Sequence, residues 1–335
     1  MDVRIGLLIL AVGIFFDPAM SQAQYCPDPE GGSADLPPTL RQGVVTYRTG
    51  LQVDIDGAPN AYSVDGALGS LASGGALDHI CSGVDILEAV GGTLKDKYPP
   101  NALKGQGSVN CLADYRRLRD AGFPACSTGE CVKFVGISGK KDGGRPCAIQ
   151  FNPKDNKGAC GQPAIQTGAD GKPSAFYVSA TSYHRMGFVD DDQSSYPDAR
   201  YVPYLVYDGA RLKNFGVVVG DLALVAWKGR ATFAVYGDSG NHLCEASVAT
   251  HNRLLGKPDS DWVNWRHYDV ASGALVAAFP GSGKKYMAAY PEHRDGAAPP
   301  GQLIYEAGMK ALSAVGEESI LKLVGLTSVD AIAKE

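Results

Sequence analysis

Asp238 and Glu245 stand seven residues apart, and two carboxyls of different type on one segment are the equipment of acid/base hydrolysis. One can give a proton to a leaving oxygen while the other draws a proton from water. On spacing alone such a pair is commonplace, and a capping Asp near a surface Glu accounts for it equally well. The neighbours lend it weight. Residues 217–227 and 232–236 read as strands joined by the turn Lys228-Gly229-Arg230, and Gly237-Asp238-Ser239-Gly240 reads as the start of a loop. A hairpin would then deliver both carboxyls onto one loop.

Other segments imitate chemistry and fail on their details. Gly237-Asp238-Ser239-Gly240 is similar to the nucleophile motif of trypsin-like proteases, but Asn241 and His242 follow where that motif continues differently. A Ser nucleophile also needs an adjacent base histidine, and no segment supplies one. Residues 280–285 imitate the end of a phosphate-binding loop, yet Ala278 and Lys285 replace the required Gly and Ser/Thr, so they read as a turn. Asp190-Asp191-Asp192 lacks the spacing and Gly of a calcium loop and reads as a solvated acidic surface. The six histidines form no pair at metal-ligand spacing, and His242 reads as exposed. Gly220-Asp221, between three valines and an apolar run, resembles the GD box of double-psi and related barrels. In that reading Asp221 caps backbone amides and is structural.

Composition narrows the classes. A net charge of −5 with no basic run gives no support to nucleic acid binding. Residues 5–16 are apolar and end at Ser21-Gln22-Ala23, the pattern of a secretory signal peptide cut after Ala23. That run falls short of the ~20 residues needed to span a bilayer, so the expectation is a soluble, secreted or periplasmic protein. All eight cysteines lie beyond the proposed cut. An even set in an exported chain reads as four disulfides, and zinc lacks a complete ligand set. Cys244 is expected to pin the loop that carries Glu245.

Along the chain, residues 24–40 read as an extended leader and 43–53 as strand, turn and strand. Residues 82–171 form an irregular cysteine-rich insert, with one helix at 113–121 and one strand at 131–137. Strands are predicted at 174–179, 201–207 (an edge, given Pro203) and 273–279, and a helix at 246–255. Residues 302–315, 317–323 and 329–334 carry helical spacing. The reading is a mainly β chain with a double-psi-like barrel core, disulfide-stapled loops and a small C-terminal helical segment.

Four stretches in order resemble glycoside hydrolase family 75, the fungal-type chitosanases and their bacterial relatives: DIDGAPNAY at 54–62, YVSAT with YVPYL, residues 216–247, and AFPGSG at 278–283. The resemblance covers 47–290 and implies a hydrolase domain over 41–290, with a helical tail at 291–335. It implies inverting endo-hydrolysis of β-1,4-linked glucosamine polymers, with Asp238 and Glu245 as the catalytic pair. Asp238, ending a strand against apolar residues, is expected to be the acid and Glu245 the base; the opposite assignment satisfies the same chemistry. Asp56, Asn60, Tyr177 and Ser182 are the candidate substrate contacts. The loop is shorter than the family's, with Asn241 and Cys244 in place of Pro and Gly, which leaves the substrate less specified than the reaction. No metal or cofactor is called for, the expected partner is a polysaccharide, and the chain is expected to be a monomer. A peptidoglycan-degrading lytic enzyme and a non-catalytic carbohydrate-binding protein are the alternatives. Four disulfides predict an intact mass ~8 Da below that of the reduced chain, which mass spectrometry checks directly.

Overall fold

Alternating apolar residues set the first strands. A computed structural model describes residues 36–68, 75–99, 106–124, 126, 129–139, 163–187, 191–267 and 270–334. The predicted signal peptide, most of the predicted leader, Asp190, Cys26, Cys147 and Cys160 lie outside the described residues. Leu36–Arg41 (β1) and Val44–Asp54 (β2) form an antiparallel hairpin, so the end of the predicted leader is a strand. The turn predicted within 43–53 does not form. Thr49 lies in a ladder opposite Ala274, and β2 runs unbroken for 11 residues.

The insert is more regular than its turn-rich composition predicts. Val84–Val90 (β3), Thr93–Asp96 (β4) and Glu130–Phe134 (β5) make an antiparallel sheet in the order β4-β3-β5. A helix, α1 (Gln106–Asp120), packs on that sheet and starts well before the predicted 113. Disulfides join Cys81 to Cys111 and Cys126 to Cys131. The first closes a loop of 30 residues and should contribute ~3–4 kcal/mol by limiting the unfolded chain. Ile165–Thr167 (β6) and Pro173–Tyr177 (β7) form a small hairpin.

The remaining strands are β8 (Tyr204–Asp208), β9 (Leu222–Trp227), β10 (Arg230–Gly240), β11 (Glu245–Ser247) and β12 (Val270–Phe279). Helices α2 (Gly209–Leu212) and α3 (Val248–Leu255) lie among them, and α4 (Ser282–Tyr286), α5 (Pro300–Val315) and α6 (Glu317–Leu323) follow. Helix was expected at 329–334. Instead a single turn leads into β13 (Ile332–Ala333), which pairs in parallel with β10.

Six strands close into a barrel in the order β2-β11-β8-β10-β9-β12, with β12 pairing back onto β2. Every strand of the six feeds one buried cluster, which is the barrel interior: Tyr47, Ala246, Leu205, Ala234, Val225 and Val276 are its members in strand order. A six-stranded barrel is narrow, which is why alanines alternate there with larger side chains. The hydroxyls of Tyr47 and Tyr236 meet inside it at 3.0 Å and satisfy each other. The opposite faces of β9 and β10, including Leu224, Phe233 and Val235, are covered by Ile304, Ala307 and Leu312 of α5. Pro203 marks no edge: it precedes β8, which lies between β10 and β11.

The strand predicted at 217–227 begins only at Leu222, because Asp221 organises the residues before it into a turn. Its carboxylate accepts N–H bonds from Val218, Gly281 and Gly283, each at 3.0 Å, while Ser282 Oγ accepts the Leu222 N–H at 2.8 Å. Asp221 is thus structural, as its motif predicted. It ties the start of β9 to the turn after β12, and it is 1 % exposed. Asp221→Ala would leave three N–H groups unpaired and should lower stability by about 3 kcal/mol. Urea unfolding that shows a loss below ~1 kcal/mol would contradict this role.

Candidate active site

Asp238 owes its position to an irregularity in β10. Gly237-Asp238-Ser239-Gly240, predicted as a loop, continues β10 alongside β8, with a register break between Tyr236 and Asp238. Such a bulge re-aims the residue that follows it. Gly237 is required there, because a Cβ would come within 2.6 Å of Tyr204 Cβ. The true loop is the short turn across 241–244, after which Glu245 opens β11.

That turn is held on both sides. Glu245 lies opposite Gln52 in the parallel β2–β11 ladder, and the Gln52 N–H donates to the Cys244 carbonyl at 2.7 Å. Cys244 is disulfide-bonded, as expected for the residue pinning this segment; its partner lies outside the described residues. With two strands, β8 and β11, between it and β10, β2 ends at Asp54, and Asp56 follows on the loop.

The result is a cluster of acids. Asp54, Asp56 and Asp238 each place one carboxylate oxygen within 4.8 Å of the others, all three half-buried. Glu245 adds a fourth charge close enough to raise the pKa values of the other three. Ser182, Ser239 and Gly240 are exposed, so the cluster opens to solvent along that rim.

Each member has its own support. Asp238 Oδ1 accepts the Ser182 backbone N–H at 2.9 Å. Asp56 Oδ1 accepts the Tyr62 hydroxyl at 2.7 Å, and the Asp56 N–H donates to Asp54 Oδ1 at 2.8 Å. A Cβ on Gly136 would lie 2.4 Å from the Asp56 carboxylate, so glycine makes room for it. The single hydrogen of the Tyr204 hydroxyl goes to the Asp56 carbonyl at 2.8 Å. Burial, then the charges of Asp54, Asp56 and Asp238, hold the Tyr204 hydroxyl well above its ordinary pKa. His242 Nε2 lies 3.0 Å from Glu245 Oε1, and its Nδ1 lies 2.6 Å from Asn241 Oδ1.

Packing acids together moves their protons. Burial pushes Asp238 up to about 6; the Ser239 and Ser182 N–H groups oppose that rise and the Glu245 charge adds to it. Burial, then the charges of Asp56, Asp238 and Glu245, hold Asp54 well above the carboxylate range. Burial and the Asp238 charge do the same to Asp56. His242 moves upward, chiefly through its bond to Glu245. Burial and mutual repulsion thus raise the rim aspartates, and acid catalysis needs a carboxyl whose pKa is raised in this way. Three oxygens at this spacing are also a geometry that a hard cation could occupy.

Of the four expected substrate contacts, two reach this site and two do not. Asp56 belongs to the cluster, and Ser182 borders Asp238. Tyr177 is 2 % exposed, with its hydroxyl 2.6 Å from that of Tyr115, and offers no ring face to a sugar. Asn60 is 8 % exposed and donates to the Gly75 carbonyl, bracing the loop. Both are corrections: Tyr177 is buried against Tyr115 of the insert, and Asn60 is turned to the backbone at Gly75. His242, expected to be exposed, is half-buried against Glu245. Asp192, within the acidic run, caps a turn and pairs with Arg185 at 2.6 Å. Asp54, Tyr62, Tyr204 and His242 were missed. An Asp-Ile-Asp sequence at a strand end was the available signal for Asp54, since alternate residues there face one side.

The raised Asp238 value has a consequence for stability. Its folded pKa lies above the unfolded one, so the folded state binds more protons between about pH 4 and 6, and stability falls as pH rises through that window. Asp238→Asn, which needs no proton, should be more stable than the parent by about 2 kcal/mol at pH 7. The gain should vanish below about pH 4; urea unfolding with an equal gain at both pH values would refute this account. Compared with known proteins, the chain matches no family model and no curated sequence.

Proposed function

We propose that the protein is a secreted inverting glycoside hydrolase that cleaves β-1,4-linked glucosamine polymers, chitosanase-like, on a double-psi-type barrel. The observation that carries the reading is the pairing of Asp238 with Glu245 at one open rim. Asp238 keeps a proton to about 6, while Glu245 sits beside a basic histidine. In this reading Asp238 protonates the glycosidic oxygen as the bond to the anomeric carbon breaks. Glu245 takes a proton from the water that attacks the opposite face, so the configuration inverts.

The surrounding acids favour a cationic polymer. Burial, and then the repulsion of neighbouring carboxylates with Asp238 among them, raise Asp54 and Asp56 well above the usual carboxylate range. An ammonium group bound in place of a proton would offset that repulsion, so the cluster rewards amino sugars over neutral ones. The closed six-stranded barrel and the Gly220-Asp221 turn support the double-psi assignment, and the disulfides favour export.

The test is product analysis on chitosan, chitin and peptidoglycan, run side by side. Reducing ends should appear from chitosan, with the inverted anomer first in the proton NMR spectrum. Asp238→Asn and Glu245→Gln should each lower kcat by about a thousand-fold. Because the acid must be protonated, kcat/KM should fall as pH rises above about 6. EDTA should leave the rate unchanged; loss of activity would assign the three aspartates to a cation instead. Cleavage of peptidoglycan alone, or binding without turnover in both parent and variants, would displace this reading.

A further inference from the structure

His242 stands at the point where the acid cluster meets a base. Its Nδ1 faces Asn241 Oδ1 at 2.6 Å, an atom that can only accept, so Nδ1 carries a hydrogen. Its Nε2 therefore shares one proton with Glu245 Oε1 across 3.0 Å. On the carboxyl, that proton would spoil Glu245 as a base. On the imidazole, it makes an ion pair. The hydrogen bond to Glu245 and the Glu245 charge favour the protonated imidazole, and with it the ion pair. Asp208 and Arg211 also face His242, from β8 and α2, with opposing effects, and they pair with each other at 3.3 Å.

We propose that His242, oriented by Asn241, is a positioning residue that holds Glu245 as the ionised base and leaves the transferable proton on Asp238. The proposal rests on the glycosidase reading and fixes the acid and base roles within it. It also makes the loop's short length useful: two residues separate His242 from Glu245, which brings the imidazole to the carboxylate at the end of one turn.

Two measurements test it. In the full chain, the NMR titration of His242 should give a pKa above the ordinary ~6.5, falling by about one unit in Glu245→Gln. In the pH profile of kcat/KM on chitosan, His242→Gln should move the acidic limb upward by about one unit. The alkaline limb, set by Asp238, should stay in place. A His242 pKa at or below ~6.5, or one indifferent to Glu245→Gln, overturns the pairing. A rate lowered evenly across pH, or a shift of the alkaline limb instead, overturns the positioning role. If the parent protein fails to cleave chitosan, the glycosidase reading fails, while the titration still decides whether His242 and Glu245 share a proton.

Discussion

Strand β2 forms a ladder with β12 along one edge and with β11 along the other, and these two ladders close the barrel. Both belong to one unbroken 11-residue strand, so closure of the core and placement of the acids are the same event. The β12 ladder seals the interior around Tyr47 and Val276. The β11 ladder sets Glu245 opposite Gln52, and the end of β2 sets Asp54 and Asp56. A slip of one residue in either ladder would turn apolar residues outward and move two carboxyls away from Asp238.

The site is expensive to keep folded, and the structure concentrates that expense in a few square ångströms of surface. Elsewhere charges are paired: Lys97 bonds Asp114 and Glu130, and Arg200 bonds Asp198. At the rim, like charges meet with burial added, and the chain answers with hydroxyls, backbone N–H groups and shared protons. Tyr62 and Ser182 are the supporting donors, and they come from segments on either side of the insert. The insert's own part is to make room: its Gly136 leaves space that a Cβ, 2.4 Å from the Asp56 carboxylate, would fill.

Much of the barrel was legible because its strands are apolar. Residues 204–207, 222–227 and 273–279 are short apolar runs of the kind a buried strand carries, and the Gly220-Asp221 pair announced its turn. The failures have local causes. Thr49-Gly50 reads as a turn by propensity, yet the ladder to β12 overrides it. Gly237 reads as a loop start, yet it is a glycine forced by the approach of Tyr204. Asp238 and Glu245 could be named because their segment is local. Asp54 could not be joined to them, because the contact spans most of the chain and depends on strand order. Tyr177 and Asn60 went wrong for the converse reason: residue types suited to sugars were already engaged inside the protein, Tyr177 with Tyr115 and Asn60 with the Gly75 carbonyl.

The strand that carries Asp238 near one end is tied at the other by β13, through Ala231 opposite Ile332 and Thr232 opposite Ala333. During synthesis those residues leave the ribosome after all six barrel strands. A growing chain thus holds every carboxyl of the rim before it holds the strand that completes the sheet around β10. The two ends of β10 therefore depend on partners made at different times, the Asp238 end on β8 and the far end on β13.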